Sequence, residues 1–388
     1  MTNARRRGGG LGSRAWACGI VGAIAGCQPP HEPTADDARR ADQAQRYTAS
    51  DAGAVWRSRE GCEAVVGAGR RAERHGDVVR IVSWNVRWFP DGAPDGSPEA
   101  PRTATDVAWL ACTIAWLDPD VIAMQEVMDE KDAPRHRHAR AALLRRLDAL
   151  TAGTWSASLD ACPSVRPSWL PDDAPTWSQP HNAVLWRSDR LQAAPPRSLA
   201  GLNATGHTCA GMRPAHGSHF QADALSFHLY SVHAKSGPRP RDWFRREEAL
   251  EGAPDALAQA QALRRDDDVI LAGDWNTMGC PDCTPAFDGA GEILETERRL
   301  AAFTPALRRV PAEPPCSEYY QGHGGLLDHF FVSSLDELPS GASAQVHGYC
   351  ALAGCADHDA TEEPAYRSLS DHCPLVLDVP DRSVEPGQ

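Results

Sequence analysis

The sequence predicts an α/β protein, and three observations predict it. Residues Val78 to Asn85 form a β-rich apolar run, Thr103 to Leu117 place Val107, Leu110, Ile114 and Leu117 at helical spacing, and Val121 to Val127 form a second strand-like run. The alternation continues, with strands expected at 182–187, 225–233, 269–272, 328–333 and 375–379 and helices at 140–150 and 241–263. With 42% hydrophobic and 23% charged side chains over 388 residues, the chain has the composition of a folded globular protein, not of a disordered or fibrous one.

The N-terminal residues read as an address. Arg5, Arg6 and Arg7 precede a short apolar run from Ala15 to Ala25, which marks residues 1–26 as an export signal. The run is too short to span a bilayer. Its closing residues, Ile24-Ala25-Gly26-Cys27, resemble a bacterial lipobox, which implies acylation of Cys27 and a lipoprotein anchored to a membrane, facing the periplasm or the cell surface. Plain secretion is the alternative. Residues 27–77 show no clear periodicity and read as a tether and lead-in, residues 78–380 run without a linker-like break as one domain, and 381–388 form a tail. No internal repeat is present, and no protein partner is indicated.

Export governs the cysteines. Ten of the twelve follow Cys27, an even number that suggests disulfides in an oxidising compartment. Cys280-Pro-Asp-Cys283 has zinc-knuckle spacing but lacks a convincing second pair, so a stapled loop is the better reading. The charge balance, 39 basic against 52 acidic residues, excludes a wide basic face for nucleic acid. Any polyanion must be held locally. Lys131 and Lys235 are the only lysines, so a lysine in this arginine-rich chain marks a position of interest.

Six apolar runs end abruptly in polar residues: Ser83-Trp84-Asn85, Met124-Gln125-Glu126, Ser231-Val232-His233, Gly273-Asp274-Trp275-Asn276, Leu327-Asp328-His329 and Ser370-Asp371-His372. Each alone has a plain structural role, as a turn residue, a first-turn acid or a satisfied strand-end histidine. Together they place carboxylate, amide and imidazole groups at converging strand ends, where α/β sheets put their ligand sites.

In order and approximate spacing, Asn85, Gln125-Glu126, His233, Gly273-Asp274-Trp275-Asn276, Asp328 and Ser370-Asp371-His372 resemble the endonuclease/exonuclease/phosphatase superfamily, over about residues 78–380. The resemblance implies a four-layer α/β/β/α sandwich of two mixed sheets and a metal-dependent phosphoric ester hydrolase using Mg²⁺ or Mn²⁺. Glu126 would be the principal metal ligand, with Asn85 and Asp371 near the same ion or its waters. Asp274 and Asn276 would orient the attacking water, and His233 would contact a phosphoryl oxygen. Asp328 would fix the tautomer of His372, which would act as base or phosphate contact. Read as a surface strand-end pair, these two would add only about 0–1 kcal/mol to stability.

The chemistry suits the residues. Phosphodiester cleavage needs an in-line nucleophile and neutralisation of phosphoryl charge, and hard oxygen ligands favour Mg²⁺, Mn²⁺ or Ca²⁺ over zinc. Lys235, two residues after His233, would project to the same strand face as a phosphate-binding cation. No tyrosine or arginine of the kind many relatives contribute is evident between Val127 and His181, so His181 and Asn182 are candidates for that role. Residues 341–366 look like an inserted loop. The activity expected is that of an exported endo- or exonuclease with nucleic acid as substrate. The alternative is a phosphomonoesterase or phospholipid phosphodiesterase of the same superfamily. A basic-aromatic cluster, Arg239, Arg241, Trp243, Arg245 and Arg246, would favour nucleic acid if it forms a binding surface, and means nothing if it is an ordinary helix start.

Overall fold

The computed structural model describes residues 51–92, 103–129, 138–162, 180–202, 209, 213–264, 266–333 and 335–382. The export signal, Cys27 and the first half of the expected tether lie outside them. Among the described residues no helix is long and apolar enough to cross a membrane.

The chain enters the fold earlier than its periodicity suggests. Residues 51–57 are helical, and α1 (Arg59–Gly67) follows, its first turn capped by Ser58, whose hydroxyl accepts from Gly61 N at 3.0 Å. Val55, Trp56, Cys62, Val65 and Val66 are buried, and Cys62 is bonded to Cys112. The lead-in of the sequence reading is therefore, from residue 51, part of the domain. Its few apolar residues lie among arginines and glutamates, which dilutes the pattern.

Sixteen strands are present among the described residues. The first sheet uses β1 (Val78–Phe89), β2 (Val121–Val127), β3 (Trp155–Leu159), β4 (His181–Arg187), β11 (Ala312–Glu313), β15 (Ala344–Val346) and β16 (Leu375–Pro380), in the order β11-β15-β16-β1-β2-β4-β3. The second uses β5 (Gln192–Ala193), β6 (Arg197–Leu199), β7 (Ala215–Gln221), β8 (Ser226–His233), β9 (Val269–Asp274), β10 (Leu307–Val310) and β14 (Asp328–Ser333), in the order β10-β14-β9-β8-β7-β5, with β6 also on β7. A small hairpin, β12 (Glu318–Tyr320) and β13 (His323–Gly325), stands apart. Both large sheets are mixed.

The sheets pack face to face, β1, β2 and β4 against β7, β8, β9 and β14. Outside the first sheet, α1 and α2 (Val107–Leu117) pack on one another, α3 (Ala139–Thr151) joins α2, and Trp109, Ile114 and Leu147 share its core. Outside the second sheet, Leu250, Ala256, Leu257 and Ala260 cover Tyr230, Val232, Val269 and Leu271. The four-layer arrangement expected from the resemblance is present. The helix expected over 241–263 is two helices, α4 (Pro240–Glu251) and α5 (Ala253–Leu263). They divide at Gly252, where a Cβ would lie 2.0 Å from Gly201 O, and Pro254 sits just inside the second. Strand β3, only five residues long, and β7, with its small and polar Ala-His-Gly-Ser-His, went unread, as did helix α6 (Gly289–Leu300), whose buried face carries Glu292 and Thr296 beside Leu300.

All ten cysteines after Cys27 are paired: Cys62–Cys112, Cys162–Cys209, Cys280–Cys283, Cys316–Cys355 and Cys350–Cys373. The Cys280–Cys283 staple disposes of a zinc knuckle. Residues 341–366 are no free insertion either, because β15 pairs with β11 and β16 and two short helices follow, α7 (Tyr349–Ala353) and α8 (Pro364–Ser368).

Two fully buried imidazoles are set by this packing. Burial holds His329 down to about 3, aided by repulsion from Arg309, and holds His216 down to about 4. His329 Nε2 lies 3.0 Å from Thr277 Oγ1. The unfolded chain protonates both near pH 6.5 while the folded chain does not, so each contributes stability that is present above pH 6.5 and is lost as pH falls toward 4, at roughly 1.4 kcal/mol per pH unit. The pH-dependence of the melting temperature should therefore be shallower in His329→Gln than in the wild type across that window; equal slopes would show that His329 is not buried as the neutral form.

Candidate functional site

Two parallel strand pairs, β1–β2 in the first sheet and β8–β9 in the second, end at the same place. Asn85 is in register with Gln125, His233 with Asp274, and Asp274 with Asp328 across the antiparallel pair β9–β14. Strand pairing alone thus gathers residues far apart in the chain. The last piece, 370–372, arrives before β16: Ser370 Oγ donates to Asn85 O at 2.7 Å, and Trp84 Nε1 donates to His372 O at 3.0 Å.

Local backbone serves this meeting point. Gly273 has φ +157° where a Cβ would lie 1.9 Å from Val232 O, so the strand can reach Asp274 beside β8 only without a side chain there. Arg87, Trp88, Glu126 and Asn276 all have positive φ, between 38° and 62°. Left-handed geometry in four non-glycine residues at one set of strand ends is strain of the kind held at functional sites. Trp275 packs on Phe331 at 4.7 Å and belongs to the core.

The side chains form a connected set. Asn85 Nδ2 donates to Glu126 Oε1 at 3.2 Å and to Asp274 Oδ2 at 3.0 Å. His233 Nε2 lies 3.7 Å from Glu126 Oε1 and 3.6 Å from Asp274 Oδ2. His372 Nε2 lies 3.7 Å from the same Asp274 oxygen, and its Nδ1 lies 2.8 Å from Asp328 Oδ2, which also accepts from Ser317 Oγ at 2.7 Å. Burial opposes charge on His372, but Asp328 and Asp274 overcome it and hold the imidazole well above its ordinary range. Burial likewise raises Glu126, against the pull of His233 and with a push from Asp371.

The structure brings together Asn85, Glu126, His233, Asp274, Asp328, Asp371 and His372, and it revises five expectations. Asn85 Oδ1 accepts from Arg87 N at 3.0 Å, so its amide is turned with nitrogen toward the carboxylates, and it orients them where an oxygen ligand was expected. Asn276 donates through Nδ2 to Ala234 O at 3.1 Å, pinning the residue after His233. Lys235 lies beyond the end of β8, so strand alternation does not align it with His233; its Nζ faces Asp242 Oδ1 at 3.3 Å. Asp328 and His372 are buried, so their pairing weighs more in the fold than a surface pair would. His181 and Asn182 are committed elsewhere, to Asp160 at 2.8 Å and to Pro214 O at 3.0 Å.

Glu318 escaped the sequence reading. From the β12–β13 hairpin its backbone forms an isolated antiparallel β-bridge with that of His372, and burial among Asp371, Asp274 and Asp328 pushes its carboxyl up to about 8 although His372 pulls it down. Gly325 makes room for it, since a Cβ there would lie 2.9 Å from Glu318 Oε2. Three-residue strands carry too little pattern to announce it.

The donor set fits a hard divalent cation. Glu126, Asp274 and Asp371 are oxygen donors, and among the described residues no lysine or arginine pairs with any of them; His233 lies against Glu126 and Asp274, and His372 against Asp274. Nor do three or more His, Cys, Asp or Glu side chains close into a metal cage among the described residues. One or two carboxylates completed by water is the mode Mg²⁺ uses.

The Endonuclease/Exonuclease/phosphatase family matches residues 82–372. Similar solved structures include the endonuclease/exonuclease/phosphatase from Beutenbergia cavernae, at 18% identity over 79% of this chain and 72% of that one with a TM-score of 0.50. The human Nocturnin catalytic domain with bound sulfate is 16% identical over 78% and 93%, TM-score 0.46, and D. rerio TDP2 with a single-strand DNA product is 14% identical over 78% and 99%, TM-score 0.45. No curated protein matches the chain.

The linked carboxylate and imidazole make a sharp expectation. Asp328→Asn and His372→Gln should each lower turnover roughly 100-fold or more, and the double variant should lose little beyond the worse single. Because the pair is buried, His372→Ala or Asp328→Ala should also cost roughly 3–5 kcal/mol, read as a fall in melting temperature. Wild-type turnover in His372→Gln would remove the pair from the chemistry.

Proposed function

The chain belongs to the endonuclease/exonuclease/phosphatase family, and from that premise we propose that it is an exported, metal-dependent phosphodiesterase that hydrolyses nucleic acid with an activated water. The observation that carries the reading is the Asp274 carboxylate, hydrogen-bonded to Asn85 and flanked by His233 and His372, beside the metal-fitting pair Glu126 and Asp371.

Mg²⁺ or Mn²⁺, when bound, would polarise the phosphoryl oxygens and neutralise their charge. Glu126 and Asp371 would hold it, with Asn85 keeping Glu126 and Asp274 in place. His372, its Nδ1 held by Asp328 at 2.8 Å and its Nε2 free to face the substrate beside Asp274, would contact the phosphate as a donor. His233 would donate to a second phosphoryl oxygen. Asp274, with Asn276 fixing the following turn, then remains to orient the water and take its proton. The five disulfides support an oxidising compartment. Acylation at Cys27 rests on the lipobox alone.

Exhaustive EDTA treatment should silence hydrolysis of a generic aryl phosphodiester, and Mg²⁺ or Mn²⁺ should restore it. Glu126→Gln should weaken Mg²⁺ binding measured by calorimetry and lower activity by roughly 100-fold. Full activity after chelation would overturn the metal-dependent reading.

A further inference from the structure

The basic-aromatic segment after His233 sits on the first two turns of α4, and its geometry bears on which nucleic acid is taken. Arg246 leaves the cluster at once: it is buried against Glu292, with paired contacts of 2.6 and 2.9 Å. That ion pair serves as an anchor, because Arg246 Nη1 also donates to Lys235 O at 2.7 Å and Gly237 O at 2.8 Å. Lys235 in turn faces Asp242 of the first helical turn. The start of α4 is therefore tied to the segment that leaves His233, and Lys235 lies within about 7 Å of His233 along the chain.

What this fixed element presents outward is apolar and positive. Phe244 is 56% exposed, and Trp243, half-buried, is braced between Phe244 at 4.8 Å and Phe287 at 5.4 Å. Residues 235–245 hold four cations, Lys235, Arg239, Arg241 and Arg245, against one carboxylate, Asp242, in a chain whose net charge is −13. Asp242 is shared by Lys235 and Arg241, at 3.3 and 3.7 Å, while Arg239 and Arg245 make no ion pair among the described residues. Arg245 repels the Lys235 ammonium. An exposed ring braced by a second aromatic, ringed by uncompensated guanidiniums and tied to the site, is the combination that holds unpaired bases by their faces and their backbone by charge.

We propose, building on the nuclease reading, that Trp243 and Phe244 with Arg239, Arg241 and Arg245 form a base-stacking platform that makes the enzyme select single-stranded over duplex nucleic acid. In a duplex the base faces are stacked on one another, and only edges and phosphates remain to be touched. An acidic protein lacks the wide positive face needed to grip a duplex by phosphates alone.

The test uses the exported, disulfide-bonded chain with Mg²⁺ and four substrates: a short single-stranded oligonucleotide, its duplex, the same strand with abasic positions, and bis(4-nitrophenyl) phosphate. Phe244→Ala and Arg245→Glu lie on the surface, and unchanged melting checks that they fold. Phe244→Ala should lower kcat/KM on the single strand by roughly tenfold, the size of one lost base stack, leaving the abasic strand and the aryl diester unchanged. Arg245→Glu should weaken both strands and spare the aryl diester. Equal wild-type cleavage of single strand and duplex, or no effect of Phe244→Ala on the single strand, would overturn the platform. So would a Phe244→Ala variant that keeps strand cleavage but loses binding to phosphatidylglycerol vesicles, which would assign the patch to a lipid surface. If the wild type cleaves neither the oligonucleotides nor the aryl diester, the phosphodiesterase reading fails by itself, and fluorescence anisotropy with the oligonucleotide still decides the platform.

Discussion

One carboxylate oxygen, Oδ2 of Asp274, organises the site. It accepts a hydrogen bond from Asn85 on the first sheet and has the Nε2 atoms of His233 and His372 within 3.7 Å. Asp274 is also the register partner of both His233 and Asp328, so one position on β9 fixes the spacing of two others. The Asn85–Asp274 hydrogen bond is a polar link between the two sheets. A second lies just behind it, where Gln125 Nε2 donates to Ser231 Oγ at 2.8 Å. Displacing either sheet would break the relation between the carboxylates of one and the imidazoles of the other.

Around that oxygen the charge is unbalanced by design of the strands. Glu126, Asp274, Asp328, Asp371 and Glu318 crowd a buried junction whose compensation is imidazole, and burial drives Glu126 and Glu318 upward. Carboxylates gathered away from water repel, and a site of this kind is poised for a cation and an anionic substrate together. The left-handed backbone at Arg87, Trp88, Glu126 and Asn276 shows the same tension in conformational form. Such geometry persists only where the surroundings hold it, and here the flanking strands are among the most buried in the chain.

The disulfides hold the parts that strand pairing does not. Cys350–Cys373 fastens α7 to the residue after His372, and Cys316–Cys355 fastens the same excursion to the start of the hairpin that carries Glu318. Short elements with little core of their own are thereby kept beside the site. At the other end, Cys62–Cys112 fastens α1 to α2 and draws residues from 51 onward into the domain.

The sequence by itself determined the class of fold, the major strands and the residues that meet. Apolar runs of period two and 3.6 are local, and polar residues that end such runs stand out by contrast, so Asn85, Glu126, His233, Asp274, Asp328 and His372 were legible one by one. Their roles were not. That Asn85 turns nitrogen toward the carboxylates depends on Arg87 N, and that Lys235 faces Asp242 depends on where β8 stops. Glu318 is visible only when a three-residue hairpin folds over His372, and Arg246 leaves the surface only when α6 brings Glu292 to it. The division of 241–263 at Gly252 was written in the chain, but its reason, contact with Gly201, was not. Local pattern carries the free energy of burial and so reveals elements; which polar atoms face one another is set by contacts between residues distant in the chain, and only the tertiary structure decides it.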